Sequence, residues 1–180
     1  MADMSSATPK ADAPPIRVTL RTTEAADLDQ VVNLNNTEAS VIDEMTRESL
    51  SAILEKAAYV RVADLNGEIV GLLVGYHSDD DFDCEAMSWF RPRHSNFFFI
   101  ERIVVSDHAR RMGLGGALYD DLSEFASRRN SEIMTCTVSV RPRNEPALAF
   151  HKRQGFRAVG EAAGEGTCSI MLSATVEQSD

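Results

Sequence analysis

The stretch RRMGLGGALYDDL, residues 110–122, constrains the fold and function of this 180-residue chain most strongly. Two arginines precede glycines at 113, 115 and 116, and a segment with apolar residues at helical spacing follows at once. Glycine loses more conformational entropy on folding than any other residue, so this density of glycine is costly for a purely structural turn. The first N–H groups of a helix are unpaired and carry partial positive charge. The pattern therefore predicts an anion site, suited to a pyrophosphate, at a helix N-terminus.

Three nucleotide-binding motifs can be compared with this stretch. A P-loop ends in Gly-Lys-Ser/Thr, but Ala117 follows Gly116. A dinucleotide-binding fingerprint needs G-x-G-x-x-G, but position 118 is Leu, and Arg141 and Arg143 stand where its acidic residue is expected. The pattern R-x-x-G-x-G, after a strand and before a helix, fits. A glycine-rich turn that serves only close packing is the competing interpretation.

Hydrophobic periodicity predicts the remaining elements. Strands are expected at Ile16–Leu20, in a hairpin over 58–76 around Asn66-Gly67, at 96–105, at 132–140, and in a closing hairpin of Arg157–Ala162 and Thr167–Leu172. Helices are expected after an N-cap at Thr23, over Thr46–Lys56, after the glycine stretch, and from Asn144 until a C-cap at Gly155. Residues 77–94 are expected to form a long loop with at most one helical turn. This order predicts an α/β or α+β domain with a mixed sheet.

Composition limits the classes of partner. The formal net charge of −10 argues against general nucleic-acid binding, which needs a basic surface. An acidic surface suits a cationic substrate, although solubility alone also accounts for it. The chain has three cysteines and no CxxC pair, which disfavours a disulfide framework or a zinc site. No metal is therefore expected, and the protein is expected to be cytoplasmic.

The domain organisation is expected to be simple. No run of about 18 apolar residues occurs, so no membrane span is expected. Residues 1–15 are rich in Ala, Ser, Pro and Asp and are predicted to be a disordered tail. Residues 16–176 are predicted to form a single domain, followed by a short tail over 177–180.

Two motifs together resemble a known family. The stretch IVVSDHARRMGLGGALYDDL is similar to the acetyl-CoA-binding segment of the GNAT superfamily of N-acetyltransferases. The family's second signature, N-x-x-x-x-x-F-Y-x-x-x-G-F, is matched by Asn144, Phe150, Gly155 and Phe156. The resemblance implies a GNAT-like α/β (α+β) fold, with a central mixed, mostly antiparallel sheet of about seven strands and about four flanking helices. It also implies acetyl-CoA as the cosubstrate.

The resemblance assigns cofactor-binding residues one by one. In this family the strand before the glycine loop splays and pairs its backbone with the pantetheine arm, and the loop amides bind the pyrophosphate. The cofactor-binding residues implied here are Ile103, Val104, Val105, Arg110, Arg111, Met112, Gly113, Leu114, Gly115, Gly116, Asn144, Phe150 and His151.

His151 departs from the family pattern, which often has Tyr at this position. That Tyr is commonly the general acid that protonates the departing CoA thiolate. A His can donate a proton near neutral pH, so His151 is a candidate catalytic acid. The thiolate can also take a proton from water. Packing along the pantetheine channel, or capping the last helix, is the alternative role for His151.

Acceptor-side candidates are fewer. Glu101 is the predicted catalytic base, because strand periodicity places it on the same face as Ile103 and Val105, and it could accept the proton of an attacking amine through water. Its alternative role is to pair with Arg102 or with a neighbouring strand. Glu38, after the first helix, and Trp89, in the 77–94 loop, are candidate substrate-binding residues. A solvated charge and an anchor for the loop are their respective alternatives.

The resemblance, together with these residues, implies an N-acetyltransferase that moves an acetyl group from acetyl-CoA to a primary amine of a small molecule by direct attack. The 77–94 loop favours a covered site suited to small molecules. The alternatives are a non-catalytic acyl-CoA-binding or regulatory module, and an acetyltransferase of protein N-termini or lysines. The resemblance also implies that such a domain often forms a homodimer.

Overall fold

Seven strands form one mixed sheet in the computed structural model, which describes residues 17–38, 43–141, 143–163 and 168–178. Their order is β1-β2-β3-β4-β5-β7-β6. Among the described strands only the β4–β5 pair is parallel, so the predicted mixed, mostly antiparallel sheet is confirmed. The strands are β1 Val18–Thr22, β2 Tyr59–Leu65, β3 Glu68–His77, β4 Phe97–Val105, β5 Ile133–Ser139, β6 Arg157–Ala163 and β7 Cys168–Thr175.

Five α-helices flank the sheet within the described ranges, one more than the sequence predicts. The additional helix, α3, lies in the segment expected to be a loop, and it escapes periodicity analysis because it has only six residues. Its N-cap is Cys84, whose Sγ accepts a hydrogen bond from the backbone N–H of Met87 at 3.5 Å. The helices are α1 Leu28–Glu38, α2 Arg47–Lys56, α3 Glu85–Phe90, α4 Leu114–Ser127 and α5 Glu145–Arg153.

The start of the first helical segment differs from the prediction. Thr23 is not the N-cap: a 3₁₀ turn at Ala25–Asp27 precedes α1, and Glu24 is its N-cap. The backbone N–H of Glu24 donates to the carboxylate of Asp27 at 2.8 Å. Asp27 is buried, and the guanidinium of Arg21 compensates its charge at 2.6 Å and holds the pKa of that carboxyl below its usual value.

Successive apolar side chains of the central strands point to opposite faces of the sheet, and helices cover both faces. On β3, Leu73 packs with Leu118 of α4. Its neighbour Leu72 packs on the opposite face with Val31 of α1 and Leu50 of α2. This period-two alternation gives two helical layers around a central sheet, which is the predicted α/β architecture.

Two irregularities of β4 shape the centre of the molecule. Among the described residues, its pairing with β5 covers Phe97–Phe99 against Ile133–Thr135, after which the two strands separate. The register against β3 also shifts, because Gly75 faces Ile100 while Val74 faces Arg102. One residue of β4, Glu101, is therefore the extra residue of a β-bulge.

Candidate active site

The separation of β4 and β5 opens a cleft of about 1280 Å³. One wall is Ile100–Val105 of β4, and the facing wall is residues 136–139 of β5. Side chains of α5 and the N-terminus of α4 complete it. The cleft therefore places strand backbone that has left the β4–β5 ladder next to a helix N-terminus.

The start of α4 supplies unpaired N–H groups to this cleft. The first backbone bond of the helix runs from Ala117 N–H to the carbonyl of Gly113 at 3.0 Å, so the N–H groups of Leu114, Gly115 and Gly116 precede it. These three residues line the cleft. Gly113 is the N-cap with a left-handed φ of 78°, a conformation that glycine adopts at little cost. Such a terminus fits an anionic group like a pyrophosphate.

The glycines of this loop have different structural roles. A Cβ on Gly115 would lie 2.8 Å from the ring of Phe150, so close packing explains that glycine. A Cβ on Gly116 would make only ordinary contact, with Gln154 at 3.6 Å, and a Cβ on Gly113 would meet nothing within 4 Å. Close packing therefore accounts for one glycine, and it does not account for the other two.

The two arginines of the glycine loop line the cleft, and one of them also forms contacts within the loop. Arg110 and Arg111 both line the cleft. Arg110 forms an ion pair with Asp107, and its Nε donates to the carbonyl of Val105 at 3.4 Å. Arg111 has a left-handed φ of 69°, which is strained for a residue with a Cβ. Met112 is 42% exposed and does not line the cleft.

Helix α5 presents its first residues and one aromatic edge to the cleft. Asn144 is its N-cap, since the side-chain oxygen accepts from Ala147 N–H at 3.1 Å. Asn144, Phe150 and His151 all line the cleft. The cleft therefore brings together residues from both sequence motifs.

Both ring nitrogens of His151 are engaged inside the protein. Nδ1 lies 2.7 Å from the carbonyl of Ala147, which can only accept, so Nδ1 carries the proton. Nε2 of the neutral ring then accepts from the hydroxyl of Tyr119 at 2.9 Å. Burial lowers the pKa of His151 and raises that of Tyr119, so both stay neutral. This arrangement directs no ring N–H into the cleft and argues against His151 as the direct acid.

The β-bulge changes the direction of Glu101. Phe98 and Ile100 share the α4 face with Ile103, so the alternation shifts by one residue between positions 100 and 103. Glu101 consequently lies on the same face as Arg102 and not with Ile103, which corrects the expectation from simple strand periodicity. Glu101 still lines the cleft, and its carboxylate is bound at both oxygens by Arg102, at 2.5 and 2.6 Å.

Sequence analysis missed two residues beside this ion pair, Asn35 and Asp43. Asn35, fully buried on α1, accepts a hydrogen bond from Arg102 at 2.8 Å through its side-chain oxygen. Its amide nitrogen donates to the carbonyl of Asp43 at 3.1 Å. Arg102 and Asp43 line the cleft. No periodic pattern marks these contacts, because Asn35 and Arg102 are 67 positions apart.

The remaining substrate-binding candidates lie elsewhere. Trp89 packs against Gly160 of β6 and beneath the guanidinium of Arg93, 3.9 Å from its ring centroid. No described residue of 77–94 lines the cleft, so the expectation that this segment covers it is wrong. Its aromatic residues pack under the sheet with Phe97 and Phe99 instead. Glu38 ends α1, and its side chain lies outside the described residues.

Residues 28–156 match the sequence model of the acetyltransferase (GNAT) family. The chain belongs to this family of acyltransferases. The match spans the separated strands, the glycine loop and the second motif, so the predicted family membership is confirmed. A search of curated protein sequences finds no match to the chain.

Solved structures with low sequence identity share the fold. Ard1 from Thermoplasma volcanium superposes with a TM-score of 0.70 at 19% identity, covering 89% of this chain and 99% of that chain. The ribosomal-protein-S18-alanine N-acetyltransferase from Escherichia coli gives 0.67 at 14%, covering 91% and 97%. NAA60 of Arabidopsis thaliana, in complex with acetyl-CoA, gives 0.71 at 15%, covering 89% and 100%. In the part of this GNAT protein that the structure describes, no helix is long and apolar enough to cross a membrane.

Proposed function

We propose that this GNAT protein transfers the acetyl group of acetyl-CoA to the nitrogen of a primary amine, with small-molecule amines as the first acceptor class. One observation carries the proposal. A single cleft runs from the unpaired N–H groups at the start of α4, along the separated strand β4, to the carboxylate of Glu101. An anion-binding end and a proton-accepting end are what this two-substrate reaction needs.

The donor half of the cleft suits acetyl-CoA, which supplies the acetyl group as an activated thioester. The N–H groups of Leu114, Gly115 and Gly116 would bind the pyrophosphate, with charge added by Arg111. Beyond the ladder with β5, the backbone groups of Ile103–Val105 that do not pair with β3 would be available to the pantetheine arm. The acetyl-CoA complex of the similarly folded NAA60 protein supports this assignment.

The acceptor half suits an amine. An alkylamine is mostly protonated near neutral pH, so its proton must leave before the nitrogen can attack the thioester carbonyl. Glu101 would accept that proton through a water molecule. The exposed carboxylate of Asp43, on the same cleft, would attract the cationic form of the amine.

Direct attack is favoured over a covalent acyl-enzyme. A covalent intermediate needs a nucleophilic side chain at the cleft, and Cys136, in the cleft wall, has the side chain best suited to that role. It is fully buried, and burial raises the pKa of its thiol, so it stays protonated at neutral pH. His151 lines the same cleft, but its two ring nitrogens are engaged by Ala147 and Tyr119.

A protein N-terminus is the second candidate acceptor. The observation that favours it is that no described residue of 77–94 closes over the cleft, which removes the argument for a covered, small-molecule site. The fold of the Escherichia coli enzyme, whose acceptor is the alanine of a ribosomal protein, adds to this alternative. Both acceptors present a primary amine, so the same Glu101 would serve either.

The decisive experiment combines binding and turnover. Isothermal titration with acetyl-CoA is performed on the wild type, on Gly113→Asp and on Gly113→Asn. The Asn variant is the matched control, because both residues have the same size and tolerate a left-handed φ, and only Asp adds negative charge. We expect micromolar binding in the wild type, a loss of at least about tenfold for Asp, equal to ~1.4 kcal/mol, and a smaller loss for Asn.

Turnover then separates the candidates. The wild type is assayed with acetyl-CoA and a panel of small amines, and separately with peptides that have free or blocked N-termini. Acetylation of small amines supports the proposal, and turnover only with free peptide N-termini supports the second candidate. Binding of acetyl-CoA without transfer to any amine would identify a non-catalytic binding module. No binding by folded wild type would overturn the assignment of the glycine loop.

A further inference from the structure

We infer that Arg102 and Asn35 are positioning residues that fix the carboxylate of Glu101 for proton transfer and tie it to the acceptor wall at Asp43. This inference rests on the proposed function, because it assumes that Glu101 accepts the proton of the amine. It concerns residues outside both sequence motifs. The chain of contacts is Glu101 to Arg102, Arg102 to Asn35, and Asn35 to Asp43.

The bulge makes the first contact possible. Neighbouring residues of a regular strand point to opposite faces, so their side chains cannot form a two-point ion pair across the sheet. The extra residue in β4 puts Glu101 and Arg102 on one face. Nε and Nη2 of Arg102 then bind the two carboxylate oxygens at 2.5 and 2.6 Å. This two-point contact fixes the plane of the carboxylate as well as its position.

The pair still leaves Glu101 able to react. A carboxylate offers about four lone-pair sites, and Arg102 occupies one on each oxygen. The remaining sites can accept a hydrogen bond from a water that relays the proton of the amine. The side chain of Glu101 is 21% exposed, against 8% for Arg102, so the carboxylate is the more accessible member of the pair, although both residues line the cleft.

The second contact holds the arginine itself. Nη1 of Arg102 donates to the side-chain oxygen of Asn35 at 2.8 Å. Burial by itself would lower the pKa of Arg102, but the hydrogen bonds and charge of Glu101 outweigh it and raise that pKa, so the guanidinium stays charged. Lysine could not replace it, because one ammonium cannot reach both carboxylate oxygens and Asn35 in a planar array.

The third contact extends to the acceptor wall. The amide nitrogen of Asn35 donates to the carbonyl of Asp43 and to the side-chain oxygen of Asn36. Asn36 in turn binds both the N–H and the carbonyl of Met45, at 2.8 and 2.9 Å. One side chain, Asn35, therefore holds the base through Arg102 and the cleft-lining Asp43 through its carbonyl.

The test is a double-mutant cycle measured by steady-state kinetics with an amine that the wild type acetylates. Glu101→Gln is expected to lower kcat by about 100-fold or more, as for removal of a general base. Arg102→Lys is expected to lower kcat by about tenfold with little change in the affinity for acetyl-CoA. In the Glu101→Gln background the same Arg102→Lys change should alter kcat by less than about twofold, because its effect acts through the carboxylate.

A matched pair of variants tests the second residue. Asn35→Ala removes the contacts to Arg102, Asp43 and Asn36, whereas Asn36→Ala removes the contacts to Met45 and to Asn35 but keeps the bond from Arg102 to Asn35. We expect the first variant to lower kcat and raise KM for the amine, and the second to raise KM alone. If Asn35→Ala fails to fold, the Arg102→Lys cycle decides the inference by itself.

The outcomes are distinguishable. If the wild type acetylates the amine and the effects of Glu101→Gln and Arg102→Lys on kcat are additive, the inference is overturned and the proposed function stands. An unchanged kcat in Arg102→Lys does the same. Wild type that binds acetyl-CoA but acetylates no amine overturns the proposed function, and with it any positioning of a base. Non-additive losses with unchanged acetyl-CoA affinity support both.

Discussion

The hydroxyl of Tyr119 donates a hydrogen bond to Nε2 of His151 across 2.9 Å, joining α4 to α5 at the side of the cleft. Tyr119 is 2% exposed and His151 is 6% exposed, so water competes little for this bond. The ring of His151 is fixed on its other side by the carbonyl of Ala147. The start of α4 carries the glycine loop and α5 carries Phe150. The hydrogen bond between Tyr119 and His151 therefore sets the spacing between these two walls of the cleft.

The first prediction is that Tyr119→Phe destabilises the protein more than it affects catalysis. The change keeps the ring and leaves Nε2 of His151 buried without a donor, which costs about 1–3 kcal/mol. Urea unfolding followed by circular dichroism measures this loss. We expect kcat to stay within about threefold of the wild type. A loss of turnover above about tenfold at unchanged stability would instead place the hydroxyl on the proton path.

The second prediction concerns acid sensitivity. Burial depresses the pKa of His151 below its ordinary value of 6.5, so the unfolded chain binds a proton at a pH where the folded chain does not. Stability is therefore unaffected by this group well above pH 6.5, and it falls as the pH drops below 6.5 toward the folded pKa. The free energy of unfolding of the wild type should decline more steeply from pH 7 to pH 5 than that of His151→Phe. Parallel declines would contradict a neutral, buried His151.

Local patterns predicted most of the fold because local physics determines it. The Asn66-Gly67 turn has left-handed φ values of 53° and 94°, as a tight hairpin requires. The C-cap of α5 is Gln154, one residue before the predicted Gly155, and Gly155 follows it with the left-handed φ of 83° that ends many helices. The helix start at the glycine loop follows from the same kind of rule. The family motifs then located the cleft, since their residues lie around one strand separation.

The site's acceptor half could not be predicted in the same way. The direction of Glu101 depends on the register between β3 and β4, and a period-two pattern does not record a bulge. Asn35 meets Arg102 only through the packing of α1 on the sheet. Large aromatic side chains often line pockets, which made Trp89 a candidate substrate-binding residue. In the structure its ring packs on Gly160 instead.

The third prediction separates charge from backbone strain at Arg111. Its φ of 69° is strained for Ala and relaxed for Gly, while both substitutions remove the guanidinium. Arg111→Gly and Arg111→Ala should therefore weaken acetyl-CoA binding to the same extent, by about tenfold, equal to ~1.4 kcal/mol. The Gly variant should be more stable than the Ala variant by about 1 kcal/mol. Isothermal titration and urea unfolding measure the two effects, and equal stabilities would contradict the left-handed backbone.

The fourth prediction uses the adjacent glycines of α4 as a matched pair. A Cβ on Gly115 would lie 2.8 Å from two ring atoms of Phe150, whereas the nearest atom to a Cβ on Gly116 is 3.6 Å away on Gln154. Gly115→Ala must displace the ring, which also packs on Tyr119 with centroids 5.6 Å apart. We expect it to be less stable than Gly116→Ala by about 1–3 kcal/mol.

The displaced ring should also change the cleft. Phe150 lines it, so Gly115→Ala is expected to weaken acetyl-CoA binding in addition to lowering stability. Urea unfolding of both variants, followed by titration with acetyl-CoA, tests the two effects in one series. Equal stabilities would mean that the ring of Phe150 swings away at no cost. That outcome would contradict the expected cost of placing a Cβ between Gly115 and Phe150.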